Sequence, residues 1–327
     1  MSKKKTSKGD FIPCSIKALP ADQHVEAAEV ARQINPGNTP LLDALIRFLE
    51  QLRRRRVKVD EPQAIAVLTS KYWGAKGVKL GVAFLDNAPA DLRARVLTHF
   101  NAWYDEGRSN VQFFEASRSL AEVRISRGPG GHWSYLGTDV KLVPTHQQTM
   151  NLQGFSMSTP ESEFRRVIRH EVGHTLGFPH EHLRQEIVSQ LNYQKTVTYF
   201  RQTQGWSEQE VVANVLTPLE ESAIMGTPGA DEVSIMTYAL PGSITKDGQP
   251  IQGGSDINQS DHDFCAKIYP GTAPPEPPPE PPTAPRVRVV VLPEQKMVRY
   301  PADWTATPWT AQEVQAIEKL AAQIGKK

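Results

Sequence analysis

Segment 170–181, which reads HEVGHTLGFPHE, constrains the fold of this chain more than any other stretch. On a helix, His170 and His174 lie one turn and about 6 Å apart, so both imidazoles project from one face and can bind one metal ion. Gly177 ends such a helix because glycine enters the left-handed conformation without a Cβ penalty, and the turn brings back His180 as a third ligand. The spacing predicts a three-histidine Zn²⁺ site with an open fourth position, rather than surface histidines on an amphipathic helix.

Glu171 occupies the position expected of a general base. It lies between the two helical histidines but cannot reach an ion that both of them bind, so its carboxylate is left to hold a water molecule. A second motif, SIMTY, follows at 234–238. In a tight turn Met236 supplies an apolar floor beneath the zinc, and Tyr238 directs its phenol to the metal or to a developing oxyanion. A role in packing alone remains the alternative for Tyr238.

The two motifs together resemble those of the metzincin zinc metallopeptidases, and the continuation FPHEHLR at 178–184 is similar to the astacin branch. The resemblance covers about residues 64–270 and implies a zincin-like catalytic domain. It implies these roles: zinc ligands His170, His174 and His180, general base Glu171, Met-turn residue Met236 and switchable phenol Tyr238. It also makes Glu181 the residue that is linked to the new amino terminus in processed members. Thr237 departs from the pattern, because many relatives carry histidine there.

The pattern of apolar residues predicts an α+β fold for this domain. Strands are expected at 64–68, 78–85, 111–114, 123–126 and 149–152. A helix over 90–104 presents an apolar stripe to the mixed, twisted sheet, and a proline at 160 opens the active-site helix. The lower subdomain, 178–254, is irregular and is closed by a helix over 260–268. The strand near 149–154 is expected to pair with an extended substrate at the edge of the sheet, and the stretch 133–137 is interpreted as a turn.

Residues 1–63 are expected to form a helical preamble or a prosegment. Four consecutive arginines at 53–56 suggest either a processing site or a solvated basic helix end. Cys14 is either a plain cysteine or a thiolate that occupies the open zinc position in a latent form. Downstream, the proline-rich segment 271–285 predicts a stiff spacer, and the tail 286–327 is too short to bury its own core, so it docks on its own domain or on a partner.

Charge and hydropathy exclude several classes of partner. With 37 basic and 36 acidic residues the net charge is +1, so no overall field attracts nucleic acid or an anionic membrane. The sequence contains neither a membrane-spanning apolar run nor a signal peptide, which leaves a cytoplasmic location or a non-standard export route open. The expected partner is a protein or peptide substrate, and the expected cofactor is one Zn²⁺ ion.

The sequence therefore predicts a zinc metalloendopeptidase in which Glu171 acts first as a base and then as an acid. Two alternatives remain open. The first is a zinc hydrolase whose substrate is not an ordinary protein. The second is a non-catalytic binding module that is stabilised by zinc.

Overall fold

The computed structural model describes residues 14–38, 70–216, 218 and 230–271. Several predicted features lie outside these residues: the strand at 64–68, the arginines at 53–56, nearly all of the proline-rich spacer and the C-terminal tail. The division of the chain into domains therefore stays a prediction. Among the described helices, none combines the length and apolar character needed to cross a membrane.

A six-stranded sheet forms the upper part of the described structure, in the order β1-β5-β6-β4-β2-β3. Its strands are β1 (Cys14–Lys17), β2 (Val78–Phe84), β3 (Val111–Glu115), β4 (Val123–Ser126), β5 (His132–Tyr135) and β6 (Met150–Leu152). All neighbouring strands run parallel except β5 and β6. The strand β2 is apolar over nearly its whole length because it lies between β3 and β4 and is covered on both faces.

The described α-helices include three within the stretch 178–254, which was expected to be irregular. They are α1 (His24–Ile34), α2 (Ala90–Phe100), α3 (Glu161–Glu163), α4 (Arg169–Thr175), α5 (Gln185–Gln190), α6 (Tyr193–Gln204), α7 (Glu208–Val211) and α8 (Gln259–Ile268). A π-helical turn, Phe164–Ile168, joins α3 to α4, and a second one, Val212–Leu216, follows α7. Short 3₁₀ turns include Gly137–Leu142 and Glu181–Leu183.

Helix α2 backs the sheet as predicted. Its apolar stripe is buried at Leu92, Val96 and Phe100, and the stripe continues to Trp103, which is also fully buried. The Trp103 indole N–H donates to the Arg169 carbonyl at 2.9 Å. This bond ties the backing layer to the first residue of α4, so the core directly supports the helix that carries the candidate zinc ligands.

Two predictions about the sheet are wrong. The stretch 133–137, interpreted as a turn, begins with strand β5 and continues into a 3₁₀ turn. Strand β6 lies between β5 and β4, so it is not the edge to which a substrate would add. On the side away from β6, β5 is covered by Cys14–Lys17, which belong to the part of the chain that was expected to be a helical preamble.

The N-terminal segment 14–38 is held on the domain at two places. Strand β1 pairs in parallel with β5, with Cys14 opposite His132. At the other end, the fully buried Asn38 amide binds both the N–H and the C=O of Tyr72. Between them, α1 packs against the 3₁₀ turn Gly137–Leu142.

Candidate metal centre and active site

Helix α4 places two imidazoles side by side in the core. His170 and His174 are buried, and their ring centroids lie 4.7 Å apart. The Nδ1 atom of His170 lies 2.6 Å from the Ile235 carbonyl, and Nδ1 of His174 lies 2.8 Å from the Phe178 carbonyl. A carbonyl can only accept, so each Nδ1 carries the proton, and each Nε2 lone pair is left to bind a metal ion.

The turn after α4 brings in the third imidazole. Gly177 adopts a φ of +91°, and a Cβ atom there would lie 2.9 Å from the Lys71 carbonyl oxygen. Glycine is therefore required both by the backbone conformation and by the close approach of residue 71. Beyond this turn His180 is fully buried, and its Nε2 lies 3.0 Å from Nε2 of His174.

The three histidines fit a zinc ion. Their candidate ligand atoms lie within 4.8 Å of one another, and a tetrahedral site with Zn–N bonds of about 2.0–2.1 Å needs nitrogens about 3.3 Å apart. Burial lowers the pKa of His170 to about 4 and lowers the pKa values of the other two well below the usual range, so all three rings are neutral. Neutral imidazole is the form that binds a metal. Within the described residues, Nε2 of His170 is buried without a hydrogen-bond partner. A bound ion would accept this lone pair in a coordination bond.

Glu171 lies beside this cluster with its carboxylate fully buried. Burial raises its pKa to about 8, and the neighbouring Cys14 thiol and the Arg166 charge oppose part of that shift. Within the described residues, neither carboxylate oxygen accepts a hydrogen bond from a nitrogen or oxygen donor. The carboxyl group is therefore unusually basic, and its hydrogen-bond partner among the described residues is the Cys14 thiol, which suits it to exchanging a proton once that thiol is displaced.

Met236 lies directly beneath α4. A Cβ atom on Gly173 would come within 2.4 Å of the Met236 sulfur, so the glycine allows the methionine to pack against the helix. The Met236 N–H donates to the Ser234 hydroxyl, which in turn donates to Asp261. The Glu181 N–H donates to the Met236 carbonyl at 3.0 Å. The methionine turn is thereby joined to the loop that carries the third histidine.

Tyr238 is buried in a cluster of rings beside the three histidines. Its ring centroid lies 4.3 Å from that of His180 and 4.1 Å from that of His182. Burial raises the pKa of the phenol well above its usual range, and the charges of Cys14 and Glu171 raise it further. The phenol is therefore a protonated hydrogen-bond donor in the same pocket as the candidate base. Sequence reasoning missed His182, which is fully buried here.

Glu181 directly follows the third candidate ligand, His180, and its N–H is bonded to the Met turn. It forms an ion pair with the fully buried Arg184, and its Oε1 accepts from the Asp231 N–H at 3.4 Å. Burial raises its pKa to about 7 although Arg184 opposes the shift. Together with Asp231 and Asp261 it lines a small cavity below the metal centre.

Cys14 projects from β1 towards the candidate base. The alternation of side chains along paired strands places it on the same face as Ser134 of β5, whose hydroxyl lies 3.1 Å from the Thr175 hydroxyl of α4. The thiol is buried and lies against the Glu171 carboxylate, and burial raises its pKa well above the usual range. The structure thus brings the predicted site residues together around α4 and the Met turn, and Glu181 borders a cavity that Met236 also lines.

Comparison with known proteins agrees with this geometry. No protein-family model matches the chain. The zinc metalloproteinase nas-27 of Caenorhabditis elegans is 29% identical over 174 residues, which make up 53% of this chain and 37% of that protein. The chain thus spans little more than a third of the length of this curated relative. The solved structure of myroilysin shares the fold with a TM-score of 0.55 and 27% identity, over 61% of this chain and 96% of the myroilysin chain. The predicted resemblance to astacin-like zinc metalloproteases and the predicted α+β fold are confirmed.

Proposed function

We propose that this chain is a zinc-dependent metalloendopeptidase of the astacin-like type. The observation that carries the proposal is the convergence of three buried, neutral imidazoles on one point, with the buried carboxyl group of Glu171 beside them. The similarity to the zinc metalloproteinase nas-27 supports the same reaction class. Metal-dependent hydrolysis of a peptide bond uses a metal, a base and an oxyanion donor in one pocket, and this pocket offers residues for each role.

A zinc ion held by the three histidines supplies Lewis-acid activation of water and of the scissile carbonyl. Glu171 accepts the proton from the attacking water, because its buried carboxylate lies beside the histidines that would hold the ion, and burial raises its pKa. The same carboxyl group then delivers this proton to the leaving amine. Tyr238 remains protonated and donates a hydrogen bond to the oxyanion of the tetrahedral intermediate. His170 and His174 keep their orientation through their Nδ1 bonds to backbone carbonyls.

In this proposal the described conformation is a latent form of the enzyme. Strand β1 occupies the edge of β5, and the Cys14 thiol lies against the general base. A substrate strand that adds to β5 must first displace β1, and the thiol must leave Glu171 before that carboxylate can hold a water molecule. Cleavage at the arginines 53–56 would begin the release of this segment. The new amino terminus would then pair with Glu181, whose carboxylate borders the small acidic cavity.

The remaining parts of the chain have supporting roles in this proposal. Residues 64–270 form the catalytic domain, and the proline-rich segment 271–285 separates it from the tail. The tail docks on this domain or on a partner chain.

Digestion of casein by purified, zinc-quantified protein tests the reaction. Four variants are compared with the parent: Cys14→Ala, Glu171→Ala, the double variant, and Cys265→Ala as a matched buried-cysteine control. We expect Cys14→Ala to cleave casein faster than the parent, and both variants that lack Glu171 to be inactive with full zinc content. Mass spectrometry of the fragments gives the side-chain preference.

Three outcomes would count against parts of the proposal. In the first, Cys14→Ala binds one equivalent of zinc but does not cleave casein, either before or after trypsin has removed the N-terminal segment. The substrate would then not be an ordinary protein, or the site would not be catalytic. Activation by trypsin with no effect of Cys14→Ala would show that the strand blocks the site and the thiol does not. Equal activation by Cys265→Ala would show that the effect is not specific to the thiol beside Glu171.

A further inference from the structure

We infer that His182 is a positioning residue that holds the Tyr238 phenol in the orientation required for catalysis. The inference rests on the proposed function, in which Tyr238 donates to the oxyanion. The His182 imidazole is fully buried and stacks on the Tyr238 ring, with centroids 4.1 Å apart and planes 22° apart. This separation is the shortest among the ring contacts that Tyr238 makes in the described residues.

Three imidazoles contact the Tyr238 ring. His170 is nearly parallel to it, at 24°, with centroids 6.1 Å apart, whereas His180 is inclined at 53° and lies 4.3 Å away. Of the three, His182 therefore supplies the closest near-parallel ring. A ring that is stacked in this way keeps its plane, because tilting would break the face-to-face contact and drive ring edges into neighbours.

The backbone that carries His182 is itself fixed to the Met turn. His182 lies in the 3₁₀ turn Glu181–Leu183, whose first N–H donates to the Met236 carbonyl at 3.0 Å. At the other end of the turn, the Arg184 N–H donates to the Glu181 carbonyl at 3.1 Å, and the two side chains form an ion pair. Tyr238 follows Met236 by two residues. The two stacked rings are therefore carried by backbone segments that are bonded to each other, so their relative position is set before substrate binds.

His182 could in principle act through Tyr238 or through the candidate zinc ligand His180, and the two roles have different consequences. Its ring also meets His180, with centroids 4.8 Å apart and planes 35° apart, so a support for the zinc ligand is the competing role. A residue that only supports His180 would affect zinc binding whether or not Tyr238 has its hydroxyl group. A residue that orients the phenol would matter only when that hydroxyl is present.

The test uses the full-length Cys14→Ala protein, which lacks the thiol beside Glu171, and compares every rate with that of this background, so that the remaining cover of the β5 edge by β1 cancels. His182→Leu removes the flat ring at similar volume, His182→Phe keeps it, and each is made with Tyr238 and with Tyr238→Phe. We expect His182→Leu to lower kcat about three- to tenfold, the range of a lost aromatic contact, with KM and zinc content unchanged. His182→Phe should restore most of kcat. In the Tyr238→Phe background, His182→Leu should cause no further loss.

Each other outcome overturns a defined statement. If His182→Leu lowers kcat equally in both backgrounds, loses zinc, or is matched by His182→Phe, the positioning role is wrong. If Tyr238→Phe is impaired and His182→Leu is not, the inference fails while the proposed function stands. Full kcat in Tyr238→Phe would remove the oxyanion role of Tyr238 and the inference with it. If His182→Leu fails to fold, an impaired His182→Phe still overturns the inference, because that variant keeps the stacked ring.

Discussion

Replacing Asn38 by alanine is expected to open the latent form without touching the catalytic pocket. The Asn38 amide is fully buried and donates to the Tyr72 carbonyl at 2.7 Å. Its oxygen accepts from the Tyr72 N–H and from the Ser70 hydroxyl, both at 3.0 Å. These three hydrogen bonds join the N-terminal segment to the domain, and all three are lost in Asn38→Ala. Once the segment has left, water solvates Tyr72 and Ser70 equally well in both proteins.

The size of the effect follows because Asn38→Ala destabilises the docked state and leaves the open state unchanged. A typical intramolecular hydrogen bond contributes about 1 kcal/mol net, so the docked state loses about 3 kcal/mol relative to the open state. At about 1.4 kcal/mol per factor of ten, the ratio of open to docked protein rises about 150-fold. The basal rate should rise by the same factor, or until it reaches that of the Cys14→Ala/Asn38→Ala double variant.

The assay is the initial rate of cleavage of a quenched fluorescent peptide by uncleaved, full-length protein. Gln33→Ala serves as the control, because it removes an amide from the exposed side of α1 in the same segment. Its basal rate should equal that of the parent. The reasoning is refuted if Asn38→Ala stays as latent as the parent while Cys14→Ala is active, since the Asn38 contacts would then contribute nothing to docking.

Three further predictions concern the centre itself. Gly173→Ala should lower the free energy of unfolding by about 1–3 kcal/mol, because its Cβ would lie 2.4 Å from the Met236 sulfur. In thermal denaturation, Gly173→Ala should cost less stability in the Met236→Ala background than in the parent. Equal costs in the two backgrounds would contradict the clash. Arg184→Met should lower the free energy of unfolding in urea by about 3–5 kcal/mol, because it leaves the buried Glu181 carboxylate without its cation. Adding Glu181→Gln to this variant should recover part of the lost stability. If Arg184→Met is as stable as the parent, the ion pair is not stabilising. Removal of zinc by a chelator should abolish peptide cleavage and lower the melting temperature. Adding zinc back to a free concentration of 100 Kd should raise the free energy of unfolding by about 2.7 kcal/mol. An unchanged melting temperature would argue against zinc binding at the three histidines.

The parts of the site that are local in sequence could be predicted from it. His170 and His174 share a helix face because of their spacing alone, and the left-handed Gly177 follows from the same segment. The closing helix α8 was also predictable. Its start is set by Asn258, whose side chain accepts from the Asp261 N–H while the Asp261 carboxylate accepts from the Asn258 N–H.

The pairing of β1 with β5 could not be predicted in the same way. Each strand has four residues, and neither shows the apolar run that identifies β2. Their stability comes from each other and from α4, so it depends on contacts between residues that are far apart in the sequence. The contact of Cys14 with Glu171 is a consequence of this pairing. The sequence could only offer it as one of two roles for the cysteine.

The ring cluster around Tyr238 also depends on tertiary structure. His182 follows the third ligand by two residues, and the motif itself assigns it no role. It meets Tyr238 because the 3₁₀ turn Glu181–Leu183 is bonded to the Met turn, and that bond joins segments more than fifty residues apart. Buried aromatic contacts of this kind appear only when the two segments are placed in three dimensions.

The π-helical turn at Phe164–Ile168 gives this protein a defined tolerance to one change in length. Such a turn holds one residue more than the α-helical path between the same two points. Deleting one residue from it would let the helix take that shorter path, so α3 and α4 would keep their relative phase. Arg95, which binds Glu161 on α3, and Trp103, which binds the Arg169 carbonyl, could then both keep their partners. Deleting a second residue would rotate the metal-binding face by about 100° relative to α3 and break one of these contacts.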